Sequence, residues 1–484
     1  MDFDSLFENL PVRHATHGAR GDARYNIEKV ITSPETGGEN ALFIATKTAL
    51  SNGRYTMESA YARGCRHFLC TQDACPGEDA TVMLCEDPEA LLGILAARVY
   101  GHPAREMTVF GITGSVGKSS VVQLATQVLR GAGHRVGTLS TDGWDVDGVC
   151  TPAAPIVPDA AEIQRKLREM ADDGIEFVLL ELSSYQLLHH AHEGIAFAAV
   201  VLTNLLPRHI GRLEHASFAA YRAAKERLMC EPCALAILPA DTEMQTNAKR
   251  VLRVGENGDI WAENTVLKRE FDVPPRTAFR LCEKEGNIDI TLPVMGDIGV
   301  QNALFVAAIS RAAGLSRMQI ADGLSRADVR GRMECLCAKH ARLVYRDSAF
   351  CPEDLAGALA ALRPLVKGRL CVLLGSVGGR AKERRAPLGR MACKFADFVY
   401  LTADDPDAEN PADICEQMLD GMKEPARAVI LPDRRKAISR AVRELREGDV
   451  LLILAKPTDA GQLVRGRYHP FDERAEVESA LALV

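Results

Sequence analysis

Two periodicities alternate along this chain. Short, near-continuous apolar runs are separated by longer stretches in which apolar residues recur every three or four positions. Runs at 108–112, 177–182 and 198–203 form one set, and runs at 343–345, 370–374, 398–401, 428–431 and 450–454 a second. Strands this continuously apolar are covered on both faces, so the pattern predicts mostly parallel sheets with helical crossovers. The first hundred residues mix short strands at 41–45 and 67–70 with helices, which predicts a smaller α/β unit. A helical stretch at 301–313 and a polar segment at 326–332 separate the two large sets. His102-Pro103 interrupts a helical pattern just before the first strand of the middle set. Three domains are therefore expected, at 1–105, 106–330 and 331–484, all of the α/β class.

Composition narrows the function classes. A chain of 484 residues exceeds what one core serves, and 47% hydrophobic with 25% charged residues is the balance of an ordinary globular protein. Intrinsic disorder, collagen and coiled coil are excluded. A net charge of −7 argues against wholesale nucleic-acid binding. The N-terminal segment lacks a basic region followed by a long apolar run, and runs such as 177–180 and 196–202 are too short to span a bilayer. A cytoplasmic protein with no membrane insertion is expected. Its 14 cysteines are scattered rather than framed as a disulfide scaffold. Cys230-x-x-Cys233 and Cys335-x-Cys337 lack a second ligand pair nearby, so buried thiols are the expectation.

The segment Gly111-Ile-Thr-Gly-Ser-Val-Gly-Lys-Ser-Ser120 follows an apolar strand and opens an amphipathic helix. That is the context of a phosphate-binding loop. Backbone amides converge on phosphate oxygens, the helix N-terminus adds a positive dipole end, and Lys118 adds a full charge. Ser119 can place its hydroxyl on Mg²⁺. Nucleotide is expected at Gly114, Ser115, Val116, Gly117, Lys118, Ser119 and Ser120. Glu181 ends an apolar strand, where a carboxylate more often serves a site than a core. His189, His190 and His192 cluster closely, and are expected to cap or solvate a helix rather than hold a metal.

The spacing G-x-x-G-x-x-G-K-[ST]-[ST] resembles that of the Mur ligase family, the ATP-dependent amide-bond ligases of peptidoglycan synthesis. Further segments resemble that family in chain order up to Arg474, most closely the branch that adds the third peptide residue: Thr151-Pro152, Glu181-Leu-Ser183-Ser184, Thr203-Asn204 followed by His209, Tyr221-Arg-Ala-Ala-Lys225, Gly331-Arg332-Met333-Glu334, Gly378-Gly379-Arg380 and His469-Pro-Phe-Asp-Glu-Arg474. The resemblance implies a central ATP-binding domain, a C-terminal Rossmann-like domain and a small N-terminal domain for a UDP-linked substrate. It implies that a substrate carboxylate takes a phosphoryl group from ATP and that an amine then displaces phosphate. Ser119 and Glu181 would hold one Mg²⁺, His209 would approach a second metal, and Lys225 occupies the position the family carbamylates. Asn302, Arg332 and Asp347 would contact nucleotide, the last two closing over it from the C-terminal domain. Thr151, Pro152, Ser183 and Ser184 would face the UDP-muramoyl-peptide-like substrate. Asp404, Asp405 and Pro406 would face a free amino acid. A monomer is expected.

Several positions depart from the family pattern. An acid next to the metals is Arg208, a histidine is Tyr185, an arginine is Ala191, and another histidine is Phe350. The uridine motif reads Thr32-Ser33-Pro34, and a late Lys-Gly-His-Glu reads Lys456-Pro-Thr-Asp459. Where diaminopimelate enzymes carry Asp-Asn-Pro-Arg, this chain has Asp404-Asp405-Pro406-Asp407. An Asp there repels a distal carboxylate and attracts an amine, so lysine, ornithine or another basic amino acid is expected over diaminopimelate. Two other readings stand beside ligation of a UDP-muramoyl-peptide: a ligase acting on a non-nucleotide acceptor, and a degenerate paralogue that binds nucleotide without ligating.

Overall fold

The computed structural model describes residues 1, 3–14, 26–46, 57–71, 76–141, 143–152, 158–208, 210–211, 215–294, 296–339, 341–379, 382–454 and 461–482. The chain divides into two compact units, residues 1–261 with 305–315, and residues 262–304 with 316–484.

The first unit opens with a five-stranded sheet of β1 (Arg13–His14), β2 (Lys29–Ile31), β3 (Ala41–Ile44), β4 (His67–Cys70) and β5 (Thr81–Leu84), in the order β1-β5-β4-β3-β2. All its pairings are parallel except β1 with β5. Every side chain of β3 is buried, as its unbroken apolar run requires. Helix α1 (Pro88–Val99) follows, capped by Asp87, with Pro88 at its first position.

Next come β6 (Thr108–Thr113), β7 (Val136–Ser140), β8 (Gly143–Val146), β9 (Val149–Pro152), β10 (Phe177–Glu181), β11 (Ala199–Leu202), β12 (Leu235–Pro239) and β13 (Arg250–Val254). Their order is β13-β12-β11-β6-β10-β7-β8-β9. Pairing is parallel from β13 to β7 and antiparallel at β7–β8 and β8–β9. Strand β6 lies between β10 and β11, so the crossovers leave it in both directions. The crevice outside its carboxyl end is the place where open α/β sheets bind ligands. The crossovers include α2 (Lys118–Gly131), α3 (Ala160–Asp172), α4 (Ser184–Leu188) and α5 (Phe218–Met229).

Asp159 joins the small sheet to the central one. Its carboxylate accepts the Glu162 amide at 2.9 Å, capping α3, and the Thr32 hydroxyl at 2.5 Å. Ser33 caps the short turn Pro34–Thr36. Two residues standing where the family reads uridine are therefore engaged in structure. Asp159→Ala is expected to cost about 1–2 kcal/mol, read as a lower urea midpoint with an unchanged slope.

In the second unit, β14 (Ile260–Lys268), β15 (Arg276–Glu283) and β16 (Gly286–Leu292) lie in that order, with β15 and β16 antiparallel. The helix expected at 301–313 is α6 (Gly296–Ala312). A six-stranded sheet follows: β17 (Glu334–Lys339), β18 (Arg342–Asp347), β19 (Leu370–Leu374), β20 (Phe398–Leu401), β21 (Ala428–Ile430) and β22 (Val450–Leu454), in the order β17-β18-β22-β19-β20-β21. Only edge strand β17 runs antiparallel. A small hairpin, β23 (Gln462–Val464) and β24 (Arg467–His469), completes the strands. Arg434, in α7 (Arg434–Arg443), is fully buried against Glu473 of α8 (Glu473–Leu481) and donates to the Ala403 and Leu454 carbonyls at 3.0 and 2.8 Å. Among the described residues all cysteines are free, and no helix is long and apolar enough to cross a membrane.

Candidate active site

The loop between β6 and α2 is shaped by its glycines in three different ways. Gly117 is the N-cap of α2 with φ 83°, and no side chain caps the helix, so its first amides remain available to an anion. Gly114 has φ 155°, and a Cβ there would lie 1.9 Å from Thr203 Oγ1, so only glycine lets the loop pass under β11. Gly111 is different, because a Cβ there would meet the Phe197 ring at 2.7 Å. It is a packing glycine inside β6, not a phosphate contact.

The end of β11 clamps this loop. Asn204 Oδ1 accepts the Ser115 and Val116 amides at 3.0 and 2.9 Å, and Asn204 Nδ2 donates to the Val116 carbonyl at 2.9 Å. Thr203 Oγ1 donates to the same carbonyl at 2.7 Å. Tyr221 of α5 donates to Ser115 Oγ at 2.9 Å, and that hydroxyl also meets the Leu206 backbone. The loop conformation is thus fixed by the Thr203-Asn204 and Tyr221 segments.

Charges converge on this frame. Lys118 Nζ donates to the Gly114 carbonyl at 3.2 Å and stands 3.9 Å from Glu181 Oε1. Lys225 Nζ donates to the same carbonyl at 2.8 Å and to Thr113 Oγ1 at 3.3 Å, and lies 4.6 Å from the Tyr221 ring centre. Lys225 is 1% exposed; burial foremost, and then the Lys118 charge, hold its amine well below the ordinary lysine value. Glu181 Oε2 accepts the Thr141 amide at 3.3 Å, and Thr141 Oγ1 lies 3.0 Å from Ser119 Oγ. The Ser119 hydroxyl, Thr141 hydroxyl and Glu181 carboxylate form a set of hard oxygens beside the phosphate loop. That donor set suits Mg²⁺, which takes one or two protein oxygens and keeps its waters.

The neighbouring residues sort differently. The Ser183 hydroxyl is engaged in the capping box of α4 with Gln186. Ser184 Oγ lies 2.9 Å from His215 Nε2, and the buried His215 ring meets the Tyr221 ring edge-on. Thr151 is exposed on β9, and Pro152 ends that strand. His209, Arg380 and residues 456–459 lie outside the described residues. Thr141 and His215 were not singled out from sequence. Thr141 stands just past the end of β7, beside the carboxyl end of β10, and that placement is its signal.

In the second unit Arg332 and Asp347 are neighbours. Asp347 accepts the Met333 and Ala349 amides, both at 2.8 Å; burial raises its pKa, opposed by the Arg332 charge and these amides. Arg332 Nε is buried and makes no hydrogen bond among the described residues. Glu334 pairs with buried Arg346 at 2.8 Å and accepts the Gly331 amide at 2.7 Å. Burial raises the Glu334 pKa, but the Gly331 amide and Arg346 overcome it, and the net shift is downward. Asn302 is buried in α6. Asp404, Asp405 and Asp407 are tied to the β23–β24 hairpin. Gln462 donates to the Asp404 carbonyl at 2.6 Å, Asp405 Oδ1 accepts the Leu463 amide at 2.8 Å, and Asp407 Oδ1 accepts the Gly466 amide at 2.7 Å. Pro406 is buried between them in sequence. Asp407 has φ 48°, a left-handed conformation that Asp tolerates. Its carboxylate therefore shapes a turn as well as setting local charge.

Residues 112–310 match the family model of the Mur ligase middle domain, and residues 331–456 that of the Mur ligase glutamate ligase domain. The chain is 31% identical to the UDP-N-acetylmuramoyl-L-alanyl-D-glutamate–2,6-diaminopimelate ligase of Caulobacter vibrioides, over 91% of this chain and 92% of that one. It is 27% identical to the protein of the same name from Caldanaerobacter subterraneus, over 96% and 97%. A solved structure of such a ligase aligns with a TM-score of 0.68 at 22% identity, covering 100% of this chain and 99% of that one. The MurF ligase of Thermotoga maritima, solved in complex with ADP, aligns at 0.60 and 16% identity, over 94% and 97%. The mixed α/β architecture is that of these enzymes, and with both family models matched in order along its length, the chain belongs to the Mur ligase family.

Proposed function

We propose that this protein is an ATP-dependent amide-bond ligase of peptidoglycan precursor synthesis, joining an amino acid to a UDP-N-acetylmuramoyl-peptide. The observation that carries this is the convergence of Lys118 and Lys225 on one carbonyl, that of Gly114, with Glu181 3.9 Å from the first amine. ATP fits the open amides at the start of α2. Bound Mg²⁺ neutralises charge on the transferred phosphoryl group, and Ser119 and Glu181 are the residues that would hold it, with Thr141 beside them. Lys118 offers its ammonium to the phosphates. A carboxylate is a poor acyl donor in water, so an acyl phosphate gives the amine a leaving group to displace. Lys225 is placed for carbamylation, which turns an amine into a carboxylate-like ligand. In the second unit Arg332, with an uncommitted buried Nε, and Asn302 are the proposed nucleotide contacts, and Asp347 fixes the backbone that carries Arg332.

The reading includes three domains at 1–105, 106–330 and 331–484, supported by the separate five-stranded, central and six-stranded sheets. The test is to incubate the purified protein with ATP, Mg²⁺, UDP-muramoyl-alanyl-glutamate and a panel of amino acids while following phosphate release. Release with at least one pair supports the reading, and ATP binding without release for any pair overturns it. In that event the non-ligating paralogue stands. Phe350 favours it, being 53% exposed with the Arg384 guanidinium over its ring, where a histidine would offer hydrogen bonds.

The amine is proposed to be a diamino acid. The relatives' names carry diaminopimelate, whereas the Asp407 charge favours a distal amine. Asp407→Arg is expected to shift kcat/KM from lysine toward diaminopimelate by about tenfold, or ~1.4 kcal/mol. An unchanged preference, with only a lower unfolding midpoint from the lost Gly466 bond, would restrict Asp407 to its turn.

A further inference from the structure

Away from the phosphate loop, His189 is the C-cap residue of α4, in keeping with its spacing, whereas His192 is not solvated. His192 is 2% exposed, in the loop after α4, and Glu193 follows it. Glu231 stands just beyond α5. One ligand atom from each of His192, Glu193 and Glu231 lies within 4.8 Å of the other two. We infer that these three side chains form a binding site for a divalent first-row transition ion, separate from the phosphate site.

The imidazole faces both carboxylates at separations wider than a hydrogen bond. His192 Nε2 is 3.6 Å from Glu231 Oε1 and 3.9 Å from Glu193 Oε1. A histidine bonded to a carboxylate closes to about 2.8 Å. Ligands about 2.1 Å from a tetrahedral ion stand roughly 3.4 Å apart, so both His192 separations, 3.6 and 3.9 Å, would have to shorten on binding. The buried His192 Nδ1 makes no hydrogen bond among the described residues. A buried imidazole facing two carboxylates is a donor set that suits a transition ion.

The frame is rigid. A Cβ at Gly93 of α1 would lie 2.2 Å from the Glu193 carbonyl, and one at Gly194 would lie 2.5 Å from the Gly93 carbonyl. The loop therefore packs backbone to backbone on α1. On the other side, Arg227 of α5 donates to the Leu187 and Leu188 carbonyls at 3.2 and 2.8 Å and lies 3.3 Å from His190 Nε2. His190 Nδ1 is 3.6 Å from Glu193 Oε1, so it flanks the same carboxylate. An ion here would pin the end of α4 to the end of α5. Those helices carry Ser184, which meets His215, and Lys225, which meets the Gly114 carbonyl, so the ion would act on them as a structural bracket.

Mn²⁺ is the probe, because soft thiolates among the many free cysteines would compete for Zn²⁺. Titrated into the full chain without nucleotide and followed by the electron paramagnetic resonance signal of the free ion, Mn²⁺ is expected to occupy this site. It should also raise the unfolding midpoint. Glu231→Gln and His192→Gln are each expected to weaken binding at least about tenfold and to remove the rise in midpoint. Glu231→Gln keeps the shape of the side chain, and its circular dichroism and metal-free unfolding check that it folds. No bound ion in the wild type, or binding by both variants equal to the wild type, would overturn the assignment.

Discussion

Lys118→Ala is expected to lower ATP-dependent phosphate release roughly a thousandfold or more, the scale of losing a cation that meets the transferred phosphoryl group. The position leaves little room for compensation. Lys118 is the first residue of α2, where the dipole already favours an anion, and its amine is directed back over the loop to the Gly114 carbonyl. Removing it takes away the charge beside Glu181, 3.9 Å distant, and leaves Lys225 as the nearest described cation on that carbonyl. A second consequence follows at Lys225. The Lys118 charge is one of the two causes that hold the Lys225 amine low, so its loss lets that amine rise toward the ordinary value. Steady-state phosphate release and direct nucleotide binding should both fall, while thermal unfolding stays near wild type because Lys118 is not part of the core. Full turnover in this variant would show that the loop does not hold the reacting phosphates.

Much of the site was legible because its chemistry follows chain geometry. The strands at 370–374, 398–401 and 450–454 lie where the apolar runs placed them, since strands buried on both faces leave an unbroken signature. The Gly114–Ser119 loop was visible because a strand, three glycines and a lysine occur at fixed offsets. The strands between 250 and 292 were not anticipated. β14 is exposed at most of its positions and β16 alternates, so neither gives a continuous apolar run. His215 escaped for another reason. Its value lies in contacts with Ser184 and Tyr221, which are distant in sequence and brought together by the packing of α4 and α5. Asp407 carries a second role, because a charge read as a specificity element also holds the Gly466 amide. Charge is visible in a sequence, whereas the turn that uses it is not.

Lys225→Met should separate function from stability in opposite directions. Activity is expected to fall by about a hundredfold or more, the cost of losing a placed electrostatic group. Stability at neutral pH is expected to rise. The folded state holds the amine's pKa well below the ordinary 10.5, so between those two values the unfolded chain binds a proton that the folded chain has released. Stability therefore grows with pH across that window, and the penalty is present in full below the folded value. Methionine fills nearly the same volume without the desolvated amine. It forgoes the bonds to Thr113 and Gly114, but the Gly114 carbonyl keeps Lys118 as a donor. Replacing a buried charged group by an apolar one of similar size is commonly neutral or stabilising. The gain in unfolding midpoint should shrink as pH rises toward 10.5 and vanish above it, where the wild-type amine is neutral in both states. The same low pKa makes the amine nucleophilic toward carbon dioxide. In the proposed carbamylation it would form an N–C bond and lose a proton, leaving a negatively charged carbamate near Lys118. Bicarbonate should accordingly raise wild-type turnover and leave Lys225→Met unchanged. A variant that is less stable at neutral pH yet fully active would show that Lys225 is a packing residue held by its hydrogen bonds.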